Sequence, residues 1–371
     1  MKIQIETMNL PGADVRHIFN HDIASCTHPD VVGNYLYSGR ALGLSSPADI
    51  VQLHPFLKKE WSSISQHYRR IGLSHSENII WDISFDVLKK YQDLDASLFY
   101  FGEKENQARR DHAWMKVVDY INSKNNFVAL ASHLRIAIPK TLCFRGKEWF
   151  AGIELFPYPC YLKAAISVAG MGIFRCETSQ SVIKALAYFN EGVPLQVQAE
   201  VDAKIFLNMQ YYSDDKGLMR WLVTEQVLDG YSHKGNRYPS GHQPWWVVEP
   251  MAEWLHSKGM KGIFAFDVAI IETQDEPEYM PIECNPRYNG ASYPSGIACK
   301  LGLKSWLAKE CHTRHERLDD INLEGIEYDS MTKIGIVIVN WGTVLAGKLG
   351  VLIAGTQRQQ AGLEAELLTR L

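Results

Sequence analysis

Residues 264–292 constrain the fold of this chain more than any other stretch. Phe264–Ile271 and Tyr279–Asn285 are both apolar, β-branched and aromatic, and Thr273–Glu278 between them has breaker character. The pattern predicts an antiparallel hairpin. If the hairpin folds about Asp275, Asp267 stands opposite Glu283, and the alternation of side chains along a strand puts Asn285 on the same face. Two carboxylates across a sheet repel unless a cation lies between them. Magnesium (or manganese), a hard cation that takes carboxylate oxygens and substrate phosphates, suits that place, so Asp267, Glu283 and Asn285 are candidate metal ligands. Arg287, just beyond the strand, offers a planar donor fork to an anion and is a candidate catalytic residue. The plain alternative is a hairpin with its acids on a solvated face.

A second candidate site lies upstream. A strand ending in Lys163 feeds the small-residue loop Ser167–Gly172 and then another strand. Glycines such as Gly170 and Gly172 let backbone N–H groups close on an anion, and Lys163 meets the same phosphates as a point charge. Alone, such a loop is as often only a tight turn. Lys116 on the preceding helix is a second candidate phosphate lysine, with a surface lysine as the alternative. Further on, Gln196–Asp202 is an extended segment that could offer its backbone to an adenine edge, with Glu200 or Asp202 accepting from ribose hydroxyls. The stretch 229–246 reads as a polar, aromatic loop and a candidate acceptor pocket, where Arg237, Lys234 and His233 would hold a substrate carboxylate beside Trp245 and Trp246. Asn289 to Ser292 reads as a tight turn near the donor carboxylate.

With 371 residues, two or three domains are expected. Hydrophobic residues make up 46% and charged residues 22%, and the formal charge is −4 with scattered basic residues, so nothing points to nucleic acid. Seven cysteines without a CxxC pair suit a reducing cytoplasm. Met1–Thr7 reads as strand rather than the core of a signal peptide. The apolar region Ile334–Ala354 is broken by Asn340, Thr343 and Lys348, which favours two buried strands over a membrane span.

Short strands, at Lys2–Glu6, Asn78–Ser84 and Ser97–Gly102, alternate with helical pattern over residues 1–110 and predict a small α/β unit with a largely parallel sheet. Helical periodicity runs from Asp111 to His133, Val193–Tyr212 reads as one long strand pair, and a helix is expected at Glu249–Lys258. The last forty residues read as a strand pair and a terminal helix.

Lys116, Lys163 before Ser167–Gly172, the Gln198–Asp202 hinge, Asp267, and Glu283-x-Asn285-x-Arg287, in this order, resemble the ATP-grasp superfamily. The resemblance covers about residues 111–310, and Glu283–Ser292 is its most specific part. It implies a mixed α/β and α+β architecture. A pre-ATP-grasp α/β domain (1–110) would precede a small lobe (111–200) and a large lobe (201–319) with antiparallel sheets, followed by a C-terminal strand pair and helix (320–371). It further implies ATP with magnesium as cofactors. Lys116 and Lys163 would lie on the phosphates, Ser167, Gly170 and Gly172 in a mobile loop over them, and Glu200 and Val201 on the adenosine. Asp267, Glu283 and Asn285 would hold the metal, and Arg287 would steady the transferring phosphoryl group. Two departures stand out: Gln198 occupies a usual glutamate position, and Lys204 lies where an acid is common.

The activity implied is that of an ATP-dependent carboxylate–amine ligase working through an acyl phosphate. Its partners would be small-molecule carboxylates and amines, the amine from an amino acid or peptide. Neither nucleic acid nor a membrane is expected, and the apolar C-terminal strand pair offers a homodimer interface. The rivals are a small-molecule kinase, a non-catalytic nucleotide-binding regulator, and a carboxylase-type enzyme acting on bicarbonate or a purine precursor.

Overall fold

The structure, a computed structural model, describes residues 10–24, 26–27, 31–99, 104, 107–108, 111–167, 172–230 and 232–371. The strand expected at Lys2–Glu6 and the loop residue Gly170 lie outside these.

The N-terminal unit is a four-stranded parallel sheet of β1 (His17–Asn20), β2 (Ile50–Gln52), β3 (Ile79–Ile80) and β4 (Asp95–Leu98), in the order β3-β2-β1-β4, with α1 (Trp61–Arg70). Parallel sheets are covered on both faces, and β1 shows this residue by residue. Ile18 enters the core beneath the large sheet, while Phe19 enters one shared with the C-terminal strands. The sheet begins two residues earlier at β4 than expected, and the strand predicted at Asn78–Ser84 shrinks to two residues. There Ser84 instead takes the Asp86 N–H and caps a 3-10 turn.

Next come α2 (His112–Asn122) and α3 (Lys124–His133). The sequence predicts one helix here. The structure breaks it at Ser123, whose ψ of 119° is extended. Val117, Ile121, Phe127 and Leu130 bury beneath the large sheet rather than in the small one, so these helices do not belong to the small lobe's own core. The small lobe is the antiparallel sheet of β5 (Thr141–Phe144), β6 (Cys160–Ala164), β7 (Ile173–Cys176) and β8 (Leu195–Ala199), ordered β5-β8-β6-β7, with α4 (Ser179–Leu186). Thr178 and Ser181 form a capping box at the start of α4.

The large sheet has eight antiparallel strands in the order β13-β12-β9-β10-β11-β14-β16-β15. They are β9 (Ala203–Asp214), β10 (Gly217–Asp229), β11 (Ser232–Tyr238), β12 (Gly262–Ile271), β13 (Glu278–Asn285), β14 (Trp306–His312), β15 (Gly335–Asn340) and β16 (Lys348–Ala354). Helices α5 (Trp245–Ser257), α6 (Ser292–Leu301) and α7 (Gln357–Arg370) complete the chain.

Three expectations change. Residues 193–212 are not a strand pair: β8 closes the small sheet and β9 starts the large one, with 200–202 crossing between them. The stretch 229–246 is not a loop, because β11 lies within it. The C-terminal strands extend the large sheet, and Ile336, Val337, Ile338 and Leu352 bury in the chain's own core, so the homodimer interface expected there has no free apolar side chains. Trp341 is fully buried and donates Nε1–H to Gly39 O at 2.6 Å. A Cβ on Gly39 would sit 2.9 Å from that indole, so the close approach requires glycine. Among the described residues, no helix is long and apolar enough to cross a membrane.

Candidate active site

The hairpin forms in the expected register. Asp267 pairs with Glu283 and Ala265 with Asn285 across β12 and β13. On its other side β12 pairs with β9, which sets Asn208 beside Asp267. The outcome is a carboxylate wrapped by three amides. Asn208 Nδ2 and Gln226 Nε2 donate to Asp267 Oδ1 at 2.8 and 2.7 Å, and Asn285 Nδ2 donates to Oδ2 at 3.0 Å.

The second carboxylate has cationic company. Lys124 Nζ lies 3.1 Å from Glu283 Oε2 and donates to Ser167 Oγ at 3.2 Å, so one ammonium touches both the large sheet and the phosphate loop. The break at Ser123 makes this reach available. It starts a new helix at Lys124, whose backbone N–H bonds Ala165 O at 2.7 Å, beyond the end of β6. Lys163, on β6, is buried and donates to Gln198 Oε1 at 2.8 Å, while Gln198 Nε2 reaches Thr141 Oγ1 at 3.2 Å. Beside Lys163 in the sheet stands Gln196, whose amide N and O are both buried without a partner.

Burial sets the electrostatics. It pushes the Lys163 ammonium down to about 8; Glu283 opposes that shift and Lys124 adds to it. Burial, then the Glu283 charge, drives the Asp267 carboxyl well above the usual range. Burial acts the same way on Glu283, but Lys124, Lys163 and Arg287 outweigh it and hold that carboxyl below its ordinary value. The pair thus has one carboxylate that ionises readily and one that resists. A divalent cation between two half-buried carboxylates relieves both desolvation and repulsion. Two carboxylates and an amide are the hard oxygen donors magnesium selects, so the residues fit that ion.

The remaining expected residues divide. Arg287 donates Nη1–H to Asn122 Oδ1 at 2.8 Å and lies 5.6 Å from the Phe99 ring centre, which places it between α2 and the N-terminal sheet. Ser167 joins the lysines, and Gly172, with φ of 72°, opens the approach to β7. Lys116 is exposed on α2, and the lysine that reaches Glu283 is Lys124. Glu200 is held by Arg175, at 2.9 and 2.6 Å, and by the Tyr161 hydroxyl; the Arg175 guanidinium lowers its pKa. The backbone N–H groups of Ala199 and Glu200 are engaged by Lys140 O and Pro159 O, and Ala203 N–H bonds Val201 O. Asp202 is exposed.

Arg237 pairs with Glu225 across the β10–β11 ladder, one residue out of step with Thr224, which follows Asn208 and Asp267 across the sheet. It therefore points from the opposite face and does not join the site. His233 does approach it. Its Nε2 lies 2.7 Å from Asn236 Oδ1, and a Cβ on Gly290 would come within 2.7 Å of its ring. Asn289 and Ser292 close the turn beside it: Asn289 N–H bonds Ser292 Oγ, and Ala291 N–H bonds Asn289 Oδ1.

Lys124, Asn208, Gln226 and Asn122 were missed in the sequence. The signal for Asn208 was present. Leu207, Met209 and Tyr211 are buried and apolar, while Asn208 and Gln210 alternate with them, a period of two that marks one polar face.

By sequence, no family profile and no curated protein matches the chain. Among solved structures it is similar to N5-carboxyaminoimidazole ribonucleotide synthetase in an ADP complex, with a TM-score of 0.60 over 98% of both chains at 11% identity. The Thermus thermophilus enzyme of the same name gives 0.57 over 96% of this chain and 98% of its own, at 13% identity. This chain has the ATP-grasp fold. Biotin carboxylase from Campylobacter jejuni, in a complex named for β-γ-ATP, gives 0.59 at 11% identity over 96% of this chain and 91% of its own. The parallel N-terminal sheet matches the pre-ATP-grasp domain of that fold.

Proposed function

We propose that this protein is an ATP-dependent ligase that activates a small carboxylate as an acyl phosphate and joins it to an amine. The observation that carries this is the meeting, across the two lobes, of Lys124, Lys163 and Ser167 with Asp267, Glu283 and Asn285. Phosphoryl transfer asks chiefly for positioning and charge neutralisation, and this group supplies both. Lys163 and Lys124 hold phosphate oxygens of ATP from the small-lobe side. On the other side Asp267, Glu283 and Asn285 would hold magnesium, which would supply Lewis-acid neutralisation. Arg287 holds the transferring group beside the carboxylate.

The enzymes similar in structure are named for carboxylating an amine rather than for joining amino acids. That moves the acceptor away from the amino acid or peptide expected from the sequence, and makes bicarbonate the carboxylate to test first. The test is ADP release by the magnesium-loaded protein over a panel of small amines with and without bicarbonate. Amine-dependent ADP release is expected, with about a 10³-fold loss in Glu283→Gln. ADP release that no amine or carboxylate stimulates would sink the reading, and a stable phosphorylated product would replace ligase by kinase.

A further inference from the structure

The strongest unexplained group in the molecule is Arg40. It lies in the 3-10 segment Asn34–Leu44 that follows β1, is 8% exposed, and its Nε and Nη2 are buried with no hydrogen-bond partner among the described residues. Its guanidinium is boxed by aromatic rings, 4.2 Å from the Tyr293 ring centre, 4.4 Å from Phe99 and 5.2 Å from Tyr37. Ring faces hold the cation in place, but they do not satisfy in-plane donors. Leaving such donors unmet is costly. The nearby acid is Asp22, whose Oδ2 is likewise buried without a partner, and no ion pair joins the two among the described residues. His21 is spoken for, with Ser97 Oγ on one ring nitrogen and Tyr293 OH on the other, each at 3.0 Å.

Position gives this group a purpose. It stands at the C-terminal ends of β1 and β4, where open α/β sheets bind ligands. Arg287, from the candidate active site, lies over the same Phe99 ring. Phe99, Ser97, Arg287 and Tyr288 also line a cavity of about 210 Å³. Phe99 is therefore the common wall between the cavity, Arg287 and Arg40. The free edge of Arg40, Nε with Nη2, is the side of a guanidinium that grips two oxygens of one anion.

Resting on the ligase reading above, we propose that one of the two joined substrates carries an oxyanion, a phosphate ester or a carboxylate, and that Arg40 anchors it once Phe99 turns aside. Arg287 then lies between that anchor and the metal carboxylates, so the anchored group fixes how far the substrate's reacting end extends toward the phosphoryl group. Arg40 acts as a specificity residue at the far end of the substrate.

The test is calorimetric titration of the full chain, presaturated with Mg–ADP to fill the nucleotide site, with inorganic phosphate and separately with acetate. One of these anions is expected to bind, phosphate if the substrate is a phosphate ester and acetate if it is a carboxylate. That affinity should fall at least tenfold in Arg40→Met, with Mg–ADP affinity unchanged. Arg40→Lys, which keeps the charge without the fork, should fall between them, and it serves as the readout if Arg40→Met does not fold. Anion binding that is equal in wild type and both variants, or absent throughout, overturns the inference. An anion effect confined to Asp22→Asn stability, with titrations unchanged in the Arg40 variants, would make Arg40 only a structural partner of Asp22 and also overturns it. Failure of Mg–ADP itself to bind would count instead against the ligase reading.

Discussion

The two walls of the cleft are built on opposite principles. On the large sheet, Asp267 on β12 and Glu283 on the edge strand β13 sit over a continuous apolar core that includes Phe264, Phe266, Met209 and Val268, and three amides fix the Asp267 carboxylate. On the small sheet, Lys163 and Ser167 lie over a slighter core of residues such as Leu162, Val182 and Val197, and one of them opens a loop. The wall proposed to hold the metal is rigidly backed, and the wall proposed to meet the nucleotide is lightly packed. Negative charge is held by the rigid wall. Positive charge is carried by the lightly packed wall, with Lys124 touching both.

The sharpest way to break this comparison is to remove charge from the lightly packed wall. Lys163→Met should lower kcat/KM for ATP by about 10²-fold, the scale for losing one preorganised charge contact. The folded protein should be no less stable, since a buried ammonium is replaced by an apolar side chain of similar reach. A melting temperature several degrees lower would show that Lys163 is structural.

The same lysine gives a pH signature. Its folded value of about 8 lies below the ordinary 10.5, so the unfolded chain binds the extra proton more readily between these values. Stability contributed by this group therefore rises with pH from about 8 to 10.5, and its penalty is fully present below about 8. Lys300, lowered to about 8 by burial, titrates in the same window, so the difference between wild type and Lys163→Met isolates Lys163. Identical stability profiles in the two proteins would refute the assignment.

On the rigid wall, Asn208→Leu removes one amide from Asp267 without touching the nucleotide side. Mn²⁺ affinity, read by electron paramagnetic resonance without turnover, should weaken about 10-fold or more. Undiminished affinity would mean that Gln226 and Asn285 suffice. The smallest effect belongs to Glu200. Its pairing with Arg175 is part-exposed, so Glu200→Gln should change stability by less than about 1 kcal/mol in chemical denaturation. A tenfold change in ADP affinity in that variant would restore the hinge acid to the adenosine site.

The rigid wall was also the legible one. Strand alternation and a turn centred near Asp275 were enough to set Asp267 against Glu283, because in a hairpin local sequence fixes register. The lightly packed wall was not, because its decisive lysine depends on a helix break. Periodicity ran unbroken through Ser123 and presented Lys116 rather than Lys124 as the polar-face lysine. Arg237 failed for a related reason. Its chemistry suited a carboxylate, but the face it takes depends on pairing with Glu225, a long-range contact that a reading of 229–246 as loop could not supply. The N-terminal strands were visible as a class and blurred at their ends. The crossing at 200–202 was hidden because both flanking segments are strands, and only tertiary pairing assigns them to different sheets.

The weld between the N-terminal sheet and the last strands has a consequence for how this chain is made. Tyr68 OH bonds Ile338 O at 3.1 Å, Trp341 bonds Gly39, and Leu36 and Leu57 share a core with Val344 and Leu352. A ribosome adds about 5–20 residues per second. The parallel-sheet unit therefore waits tens of seconds, with one apolar face uncovered, for partners nearly three hundred residues downstream. A unit made well before its partners is thus among the last to finish folding, and in the interval it is a natural client for a chaperone.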